Sequence, residues 1–465
     1  MTVEMNENVE VIETEVVKEP EEKLDLDVNL RKFYAHLKRA RRHDSKFGRE
    51  DDVDLTEEEI KAIDEYWGPY HFAYPEIYYD SFKFFKNRSG KFDVRHCPGA
   101  IRECHFKKFF NNPTYHMAHQ NKCMYPLLYP GVAKPITVVR RMAGIYYDED
   151  YNPIKIPKVC EIIQGKLAEG KSLIAKPSGL GGGKKIKFFN PEDQVTETDI
   201  RAFLKELGNY ALVVQEVLEQ SDFMKQFNPT SLNTIRVTTF LWKEEVHALA
   251  SLIRIGKLGS RVDNYTQGGS VLGIDVKTGI CNKWAMNHDL ERITTLPSGL
   301  VLDQDDLVVP NFNQIVAAVK KMHYHTPYTK LISWDMALDK DNVPTMIENN
   351  FAGSIQLHEA VNGPLFGEFM DELLETYLYK NFFVEFKTKE WSFREYKSNV
   401  VATKYLGNES DVVAPTMMKN KPVTTVLPSA FKDVKTPVKS FAITPKLAKT
   451  SGEVFENVKE VKIVE

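Results

Sequence analysis

Residues 172–183 read Ser-Leu-Ile-Ala-Lys-Pro-Ser-Gly-Leu-Gly-Gly-Gly, with Lys184 and Lys185 directly after them. An apolar run ends in Lys176, a glycine-rich turn follows, and a second short apolar run occupies 186–189. That order is strand, loop, strand. Glycine lets a backbone approach a ligand closely and point several N–H groups one way. Lysines at the ends supply charge for phosphate. The same residues also read as a plain hairpin turn with solvated lysines. Two familiar phosphate loops are excluded. The pattern G-x-x-x-x-G-K-[ST] is absent, and these glycines lead into a strand, not a helix, so the dinucleotide fingerprint does not fit. A phosphate loop of another kind needs an adenine slot, a cation site and side chains that meet transferred charge.

Upstream, residues 159–170 read as a helix and Ile136–Arg140 as a strand. Before them, a helix holding His116 and His119 continues through Gln120 and Asn121. It leaves Lys122 near its end, able to reach into a cleft. Downstream, after a short helix over Arg201–Leu207, the run Tyr210–Leu218 is apolar except for Gln215 and Glu216. An unbroken apolar run is the mark of a strand buried on both faces. A carboxylate inside it is costly unless it finds donors. Either main-chain groups around Glu216 and Val217 bond an adenine edge, or Glu216 faces solvent at a sheet edge.

Residues 233–242 and 246–255 form a hairpin in outline, joined at Lys243-Glu244-Glu245. Each arm carries one arginine in apolar surroundings, Arg236 and Arg254. Buried arginine is rare without an anion. Structural ion pairs and cations facing a transferred phosphate both satisfy that need. A glycine-dense loop follows, with Gly256, Gly259, Asp263-Asn264 and Gly268-Gly269. Then come a strand over 270–276 and an amphipathic helix over 311–325.

The run 331–338, Leu-Ile-Ser-Trp-Asp-Met-Ala-Leu, reads as a strand, 339–342 as a turn and 343–350 as the returning strand, ending Ile-Glu-Asn-Asn. Side chains two apart share a face, so Glu348 and Asn350 point together. With the hairpin folded about Lys340–Asp341, Asp335 falls opposite Met346, on that face and diagonal to Glu348. Two carboxylates and an amide oxygen form a hard-oxygen site suited to magnesium and its phosphates. A solvated acidic hairpin is the alternative, and a one-residue slip of register would break the geometry.

The chain has 465 residues and a net charge of -4. The length suggests two or three domains, and the charge gives no global case for nucleic acid. No apolar run is long enough to span a bilayer. The opening residues lack the basic-then-apolar order of a signal peptide. Five scattered cysteines fit free thiols in a reducing cytoplasm. His96, Cys97, Cys104, His105, His116 and His119 lack the spacing of a zinc frame. No Ser/His/Asp or Cys/His set suggests a nucleophilic enzyme. Residues 1–26 are acidic and read as disordered. Residues 27–115 read as an α-rich region, with a basic amphipathic helix over Val28–Arg42, a second helix capped by Thr56 and an aromatic stretch from Tyr66 to Phe85. A helix is expected over 363–383. Residues 386–465, rich in Lys, Val, Thr, Pro and Ser, read as a flexible low-complexity tail.

Together, Asn121-Lys122, Lys176-Pro177 before a glycine loop, Gln215-Glu216-Val217, Arg236, Arg254 and Asp335…Glu348-Asn349-Asn350 resemble the ATP-grasp superfamily. Ser231-Leu-Asn-Thr-Ile-Arg236, Arg254-Ile-Gly256, Val262-Asp-Asn-Tyr-Thr-Gln-Gly-Gly269 and Ser333-Trp-Asp335 are most similar to its sugar-transfer-associated branch. The resemblance implies an α+β, ATP-grasp fold over 116–385, in which two α+β subdomains enclose a nucleotide cleft. It implies that Lys122 and Lys176 bind the phosphates of ATP and that Gly181, Gly182 and Gly183 close over them. Gln215, Glu216 and Val217 would hold adenine, Asp335, Glu348 and Asn350 would hold Mg2+, and Arg236 and Arg254 would meet the transferred phosphoryl group. The implied activity is a cytoplasmic carboxylate–amine ligase working through an acyl phosphate in surface polysaccharide biosynthesis. Its substrates would be small or glycan-linked, with glycosyltransferases as partners. A kinase of a sugar-linked substrate and a non-catalytic scaffold for glycosyltransferases are the alternatives. Some ligases of the superfamily carry arginine two residues before the metal aspartate; this chain has Ser333.

Overall fold

The computed structural model describes residues 52–70, 77–111, 113–178, 185–261, 263, 265–351, 353, 355–379, 384–395, 399–452 and 454–464. The acidic stretch 1–26, the helix expected over Val28–Arg42 and the glycines Gly181, Gly182 and Gly183 lie outside the described residues.

The first subdomain is a six-stranded antiparallel sheet, ordered β3-β2-β1-β6-β4-β5. Its strands are β1 (Thr137–Met142), β2 (Ile145–Tyr147), β3 (Pro153–Ile154), β4 (Leu173–Ser178), β5 (Lys187–Phe189) and β6 (Ala211–Glu216). Alternation along β4 decides what each face does. Leu173 and Ala175 enter a core with Leu212 and Val214, beneath the helices Ile156–Ala168 and Glu197–Glu206. Ile174 and Lys176 emerge on the opposite face and line a cleft.

The second subdomain is a seven-stranded antiparallel sheet, ordered β11-β10-β9-β8-β7-β12-β13. It comprises β7 (Thr234–Trp242), β8 (Glu245–Ile255), β9 (Ser270–Ile274), β10 (Cys281–Asn287), β11 (Arg292–Ile293), β12 (Leu331–Leu338) and β13 (Pro344–Asn350). Ile235, Val237, Ile253, Trp334 and Met336 share one face and pack against the helix Phe312–His323. The other face is divided. Phe240, Trp242 and Ala250 lie under the N-terminal helices and the 355–374 segment. Thr234, Arg236, Arg254 and Asp335 lie beyond that cover.

The helix Glu57–Trp67 begins at Thr56 as its sequence predicts. Thr56 Oγ1 accepts from the Glu59 N–H at 3.2 Å, and the Glu59 carboxylate accepts from the Thr56 N–H at 2.8 Å. The helix expected over 363–383 begins later, at Gly367, and runs without a break to Tyr379 with its hydrogen-bond spacing changing along the way, after a separate helix at Ile355–Asn362.

The flexible tail expected over 386–465 is not what the structure contains. A five-stranded sheet and a three-stranded parallel sheet form there, with strand orders β14-β15-β16-β19-β18 and β17-β20-β21. The strands are β14 (Val384–Lys387), β15 (Trp391–Glu395), β16 (Val400–Tyr405), β17 (Asp411–Val413), β18 (Met417–Met418), β19 (Lys421–Val426), β20 (Val438–Ile443) and β21 (Val458–Ile463). Trp391, Phe393, Phe431, Phe441 and Phe455 fill a shared core. The physical reason is that a few large rings, spaced among polar residues, bury enough surface to order strands that average composition marks as soluble linker. Gly68 comes so close to this unit that an added Cβ would lie 3.1 Å from the Thr450 carbonyl oxygen.

Candidate functional site

A cleft of about 220 Å³ lies between the two subdomains. Ile174, Lys176 and Phe188 line it from the first, and Thr230 and Arg261 from the second. Glu216, Val217 and Leu218 line it where the chain passes between the two. The apolar members can sandwich a flat ring, and Lys176 supplies charge beside it.

The run 215–217 sits differently from the sequence expectation. Gln215 donates its side-chain amide to Thr137 Oγ1 at 3.0 Å. The Glu216 and Val217 N–H groups are used by the sheet, donating to the carbonyls of Ile136 at 2.9 Å and Ser172 at 2.8 Å. Lys166 holds the Glu216 carboxylate at 3.5 Å, on the helix-covered side of the strand. Among the described residues the Leu218 N–H has no partner. It is therefore a main-chain donor free for a ring edge.

Acidic and basic side chains meet on the open face of the second sheet. Asp335, 1% exposed, accepts two parallel bonds from Arg236, Nε to Oδ1 and one terminal nitrogen to Oδ2, both at 2.7 Å. Arg254 donates to Oδ2 at 2.8 Å and lies 3.4 Å from an Asp263 oxygen. Neighbouring strands set these contacts, since Asp335 pairs with Arg236 across β12–β7 and Arg254 pairs with Thr234 across β8–β7. Asp335 also stands directly across from Glu348, and Lys122 Nζ reaches Glu348 Oε2 at 2.7 Å. The expected register, with Asp335 opposite Met346, does not occur: Met346 pairs with Met336, and a bulge separates the two pairs.

Contacts on two sides place Lys122. Its N–H donates to Ser178 Oγ at 2.9 Å, which ties it to the end of β4. Asn349, on the face of β13 opposite Glu348, holds the segment around Lys122 from the other side. Its amide nitrogen donates to the His119 carbonyl at 3.0 Å and to Tyr129 Oη at 2.7 Å, and its oxygen accepts from Tyr125 Oη at 3.0 Å. Sequence reasoning missed Ser178, Asn349 and Asp263 as parts of the site. For Ser178 the signal was present, because it lies two residues beyond Lys176 on one strand.

The charges perturb one another. Burial pushes the Lys176 ammonium down to about 8, helped by Lys122, while Glu348 and Asp263 pull the other way. Burial raises the Glu348 carboxyl, but Lys122, Arg254 and Arg236 outweigh it and hold the group well below the usual carboxylate range. Burial also raises Asp263, with Arg254 opposing.

Asp335, Glu348 and Asn350 supply two carboxylates and one amide, the hard-oxygen donors that magnesium prefers. Among the described residues no cluster of three His, Cys, Asp or Glu suited to a metal occurs, so any cation here relies on the amide and on phosphate oxygens. The Asn350 amide nitrogen donates to Asp335 Oδ2 at 3.1 Å and to Glu348 Oε1 at 3.4 Å. A bound cation requires that amide to turn, presenting oxygen in place of nitrogen. With that rotation the donor set fits.

A family model described as sugar-transfer associated ATP-grasp matches residues 105–369, which contain both sheets and every charged group just described. The chain belongs to the sugar-transfer associated ATP-grasp family. Its ATP-grasp fold is α+β, with a nucleotide-type cleft between two sheets. No curated protein matches the sequence. Among solved structures it is similar to D-alanyl-alanine synthetase A from Vibrio cholerae O1 biovar eltor, at 13% identity and a TM-score of 0.33, over 58% of this chain and 63% of that one. It is similar to the ATP-grasp ligase PsnB complexed with minimal precursor, Mg and ADP, at 14% identity and a TM-score of 0.31, over 57% and 61%. It is also similar to D-cycloserine synthetase DcsG, at 11% identity and a TM-score of 0.34, over 57% and 73%. The chain thus spans less than two thirds of the first two. Likenesses this distant carry no argument about substrate. Among the described residues no helix is long and apolar enough to cross a membrane.

Proposed function

We propose that this ATP-grasp chain is an ATP- and Mg2+-dependent ligase that joins a carboxylate to an amine in the cytoplasmic assembly of a surface polysaccharide. The observation that carries the reading is the convergence of Lys122, Arg236 and Arg254 on the facing carboxylates Asp335 and Glu348, beside a cleft that holds Lys176. Magnesium triphosphate supplies an electrophilic phosphorus and a good leaving group. Lys176 and Lys122 would hold its phosphates, and Ile174, Phe188 and Leu218 its base. Asp335, Glu348 and Asn350 would hold the cation. Arg236 and Arg254 then lie where charge develops during transfer, already oriented by Asp335 and needing no reorganisation. In the first step a carboxylate oxygen bonds to the γ-phosphorus and the bond to ADP breaks. In the second the amine nitrogen bonds to the acyl carbon, phosphate leaves and the amine loses a proton. The family description supports the link to sugar transfer, and glycosyltransferases are the partners it suggests.

Trapping with hydroxylamine tests this. A ligase yields a hydroxamate from its carboxylate substrate together with ADP. A stable phosphoester would show a kinase, and ATP binding without turnover across broad substrate panels would show a scaffold.

A further inference from the structure

Two residues before Asp335 on β12, and on the same face, Ser333 pairs across the sheet with Asn350. These two residues also line a second, smaller cavity of about 30 Å³, walled on its far side by the segment 102–111. Asn350 therefore borders both the proposed cation site and this cavity. In phosphoryl transfer the acceptor stands roughly in line with the leaving group, across the phosphorus from it. With the base and phosphates at Leu218, Lys176 and Lys122, a chamber reached past Asn350 lies beyond the reacting end.

The cavity is cationic. Arg102 is 4% exposed and Lys107 stands at its rim. Both hold one carboxylate of the chain, Glu103, with Arg102 Nε 3.1 Å from Oε1 and Lys107 Nζ 3.2 Å from Oε2. Two cations on one anion leave a surplus positive charge. The Gln356 amide, turned so that its oxygen faces Arg102, accepts from both terminal nitrogens, one of them at 2.8 Å. A guanidinium carries five N–H donors, and these partners do not exhaust them. Opposite, Gly353 passes so close to β12 that an added Cβ would meet the Ser333 side chain, so the wall there is bare backbone.

We propose that this cavity receives the carboxylate that accepts the phosphoryl group, with Arg102 as the residue that binds it and Lys107 guiding it at the mouth. The inference rests on the ligase reading above. The volume narrows the substrate class. A single water needs about 10–15 Å³, so about 30 Å³ takes two or three water-sized groups, a carboxylate but not a sugar ring. A glycan-linked substrate would enter by its acid end and leave its sugar outside.

The test is saturation-transfer NMR with propionate as the probe, on the full chain, with and without Mg2+ and AMP-PNP. Propionate is expected to receive saturation from the wild type, and propylammonium is not. Arg102→Gln should abolish the transfer. Because Arg102 is buried, Lys107→Gln on the exposed rim is the second variant, and at least a threefold weaker propionate affinity is expected. If Arg102→Gln fails to fold, Lys107→Gln decides. No propionate transfer in the wild type, equal affinity in wild type and Lys107→Gln, or a preference for propylammonium would overturn the proposal. AMP-PNP affinity, measured on the same samples, separates the two ideas. Its absence sinks the nucleotide reading, whereas the propionate result is read without nucleotide as well.

Discussion

Asp335 stands directly across from Glu348, and it does so because Ile347 is bulged out of the β12–β13 ladder. From the turn inward, Leu338 pairs with Pro344, Ala337 with Thr345 and Met336 with Met346. Continued without interruption, that register would set Glu348 against Trp334, on the face that forms the apolar core. The extra residue moves the rest of β13 to the other face, so both carboxylates, Asn350 and Ser333 look the same way.

Because Asp335 serves Arg236 and Arg254 together, its removal has two consequences. Asp335→Asn is expected to weaken Mg2+-dependent ATP binding at least tenfold in titration calorimetry. Asp335→Ala, which takes the paired anion from Arg236 and leaves Arg254 only Asp263, should also cost roughly 3–5 kcal/mol in chemical unfolding. Unchanged ATP affinity in the asparagine variant would remove Asp335 from the site.

Lys176 links nucleotide binding to protons. Its folded value of about 8 lies below the ordinary 10.5, so the charged form is disfavoured by folding. In the unliganded chain this cost is fully present below the folded value. It is relieved as pH rises from about 8 to 10.5, where the unfolded chain holds the proton and the folded chain does not. Phosphate beside Lys176 reverses the preference. At pH 9, ATP binding should take up close to one proton, read by calorimetry in two buffers of different ionisation enthalpy. Lys176→Arg should abolish the uptake.

Asn349 is a positioning residue. It is 3% exposed and joins β13 to the segment that carries Lys122. Asn349→Ala leaves its partners unsatisfied and should cost roughly 1–3 kcal/mol. A purely structural role predicts that loss alone. Positioning predicts that ATP affinity falls as well, at temperatures where the variant is fully folded.

The C-terminal unit is tested through Phe431, which is fully buried and packs edge-on against Trp391 and Phe441. Phe431→Ala should cost roughly 3–5 kcal/mol. It should also open residues 399–452 to limited proteolysis, which the wild type should resist there. Equal cleavage in both proteins would return this region to a flexible chain.

The sequence by itself determined the principal strands of the two large sheets, because an apolar run or a strict alternation leaves few other ways to bury side chains. It also offered the residue types of the candidate site: Arg236 and Arg254 as charges where burial demands a partner, Asp335, Glu348 and Asn350 as oxygens sharing one face of a hairpin, Lys176 as a charge before a glycine-rich turn and Lys122 as one near a helix end. Only the tertiary structure decided which partner each one has. The Ile347 bulge, the capture of the Val217 N–H by Ser172 and the grip of Asn349 on the Lys122 segment depend on distant stretches of chain meeting. No local pattern encodes that. The C-terminal sheets were missed for a related reason: their core is built from single rings scattered among polar residues, and those rings become a core only when the strands bring them together.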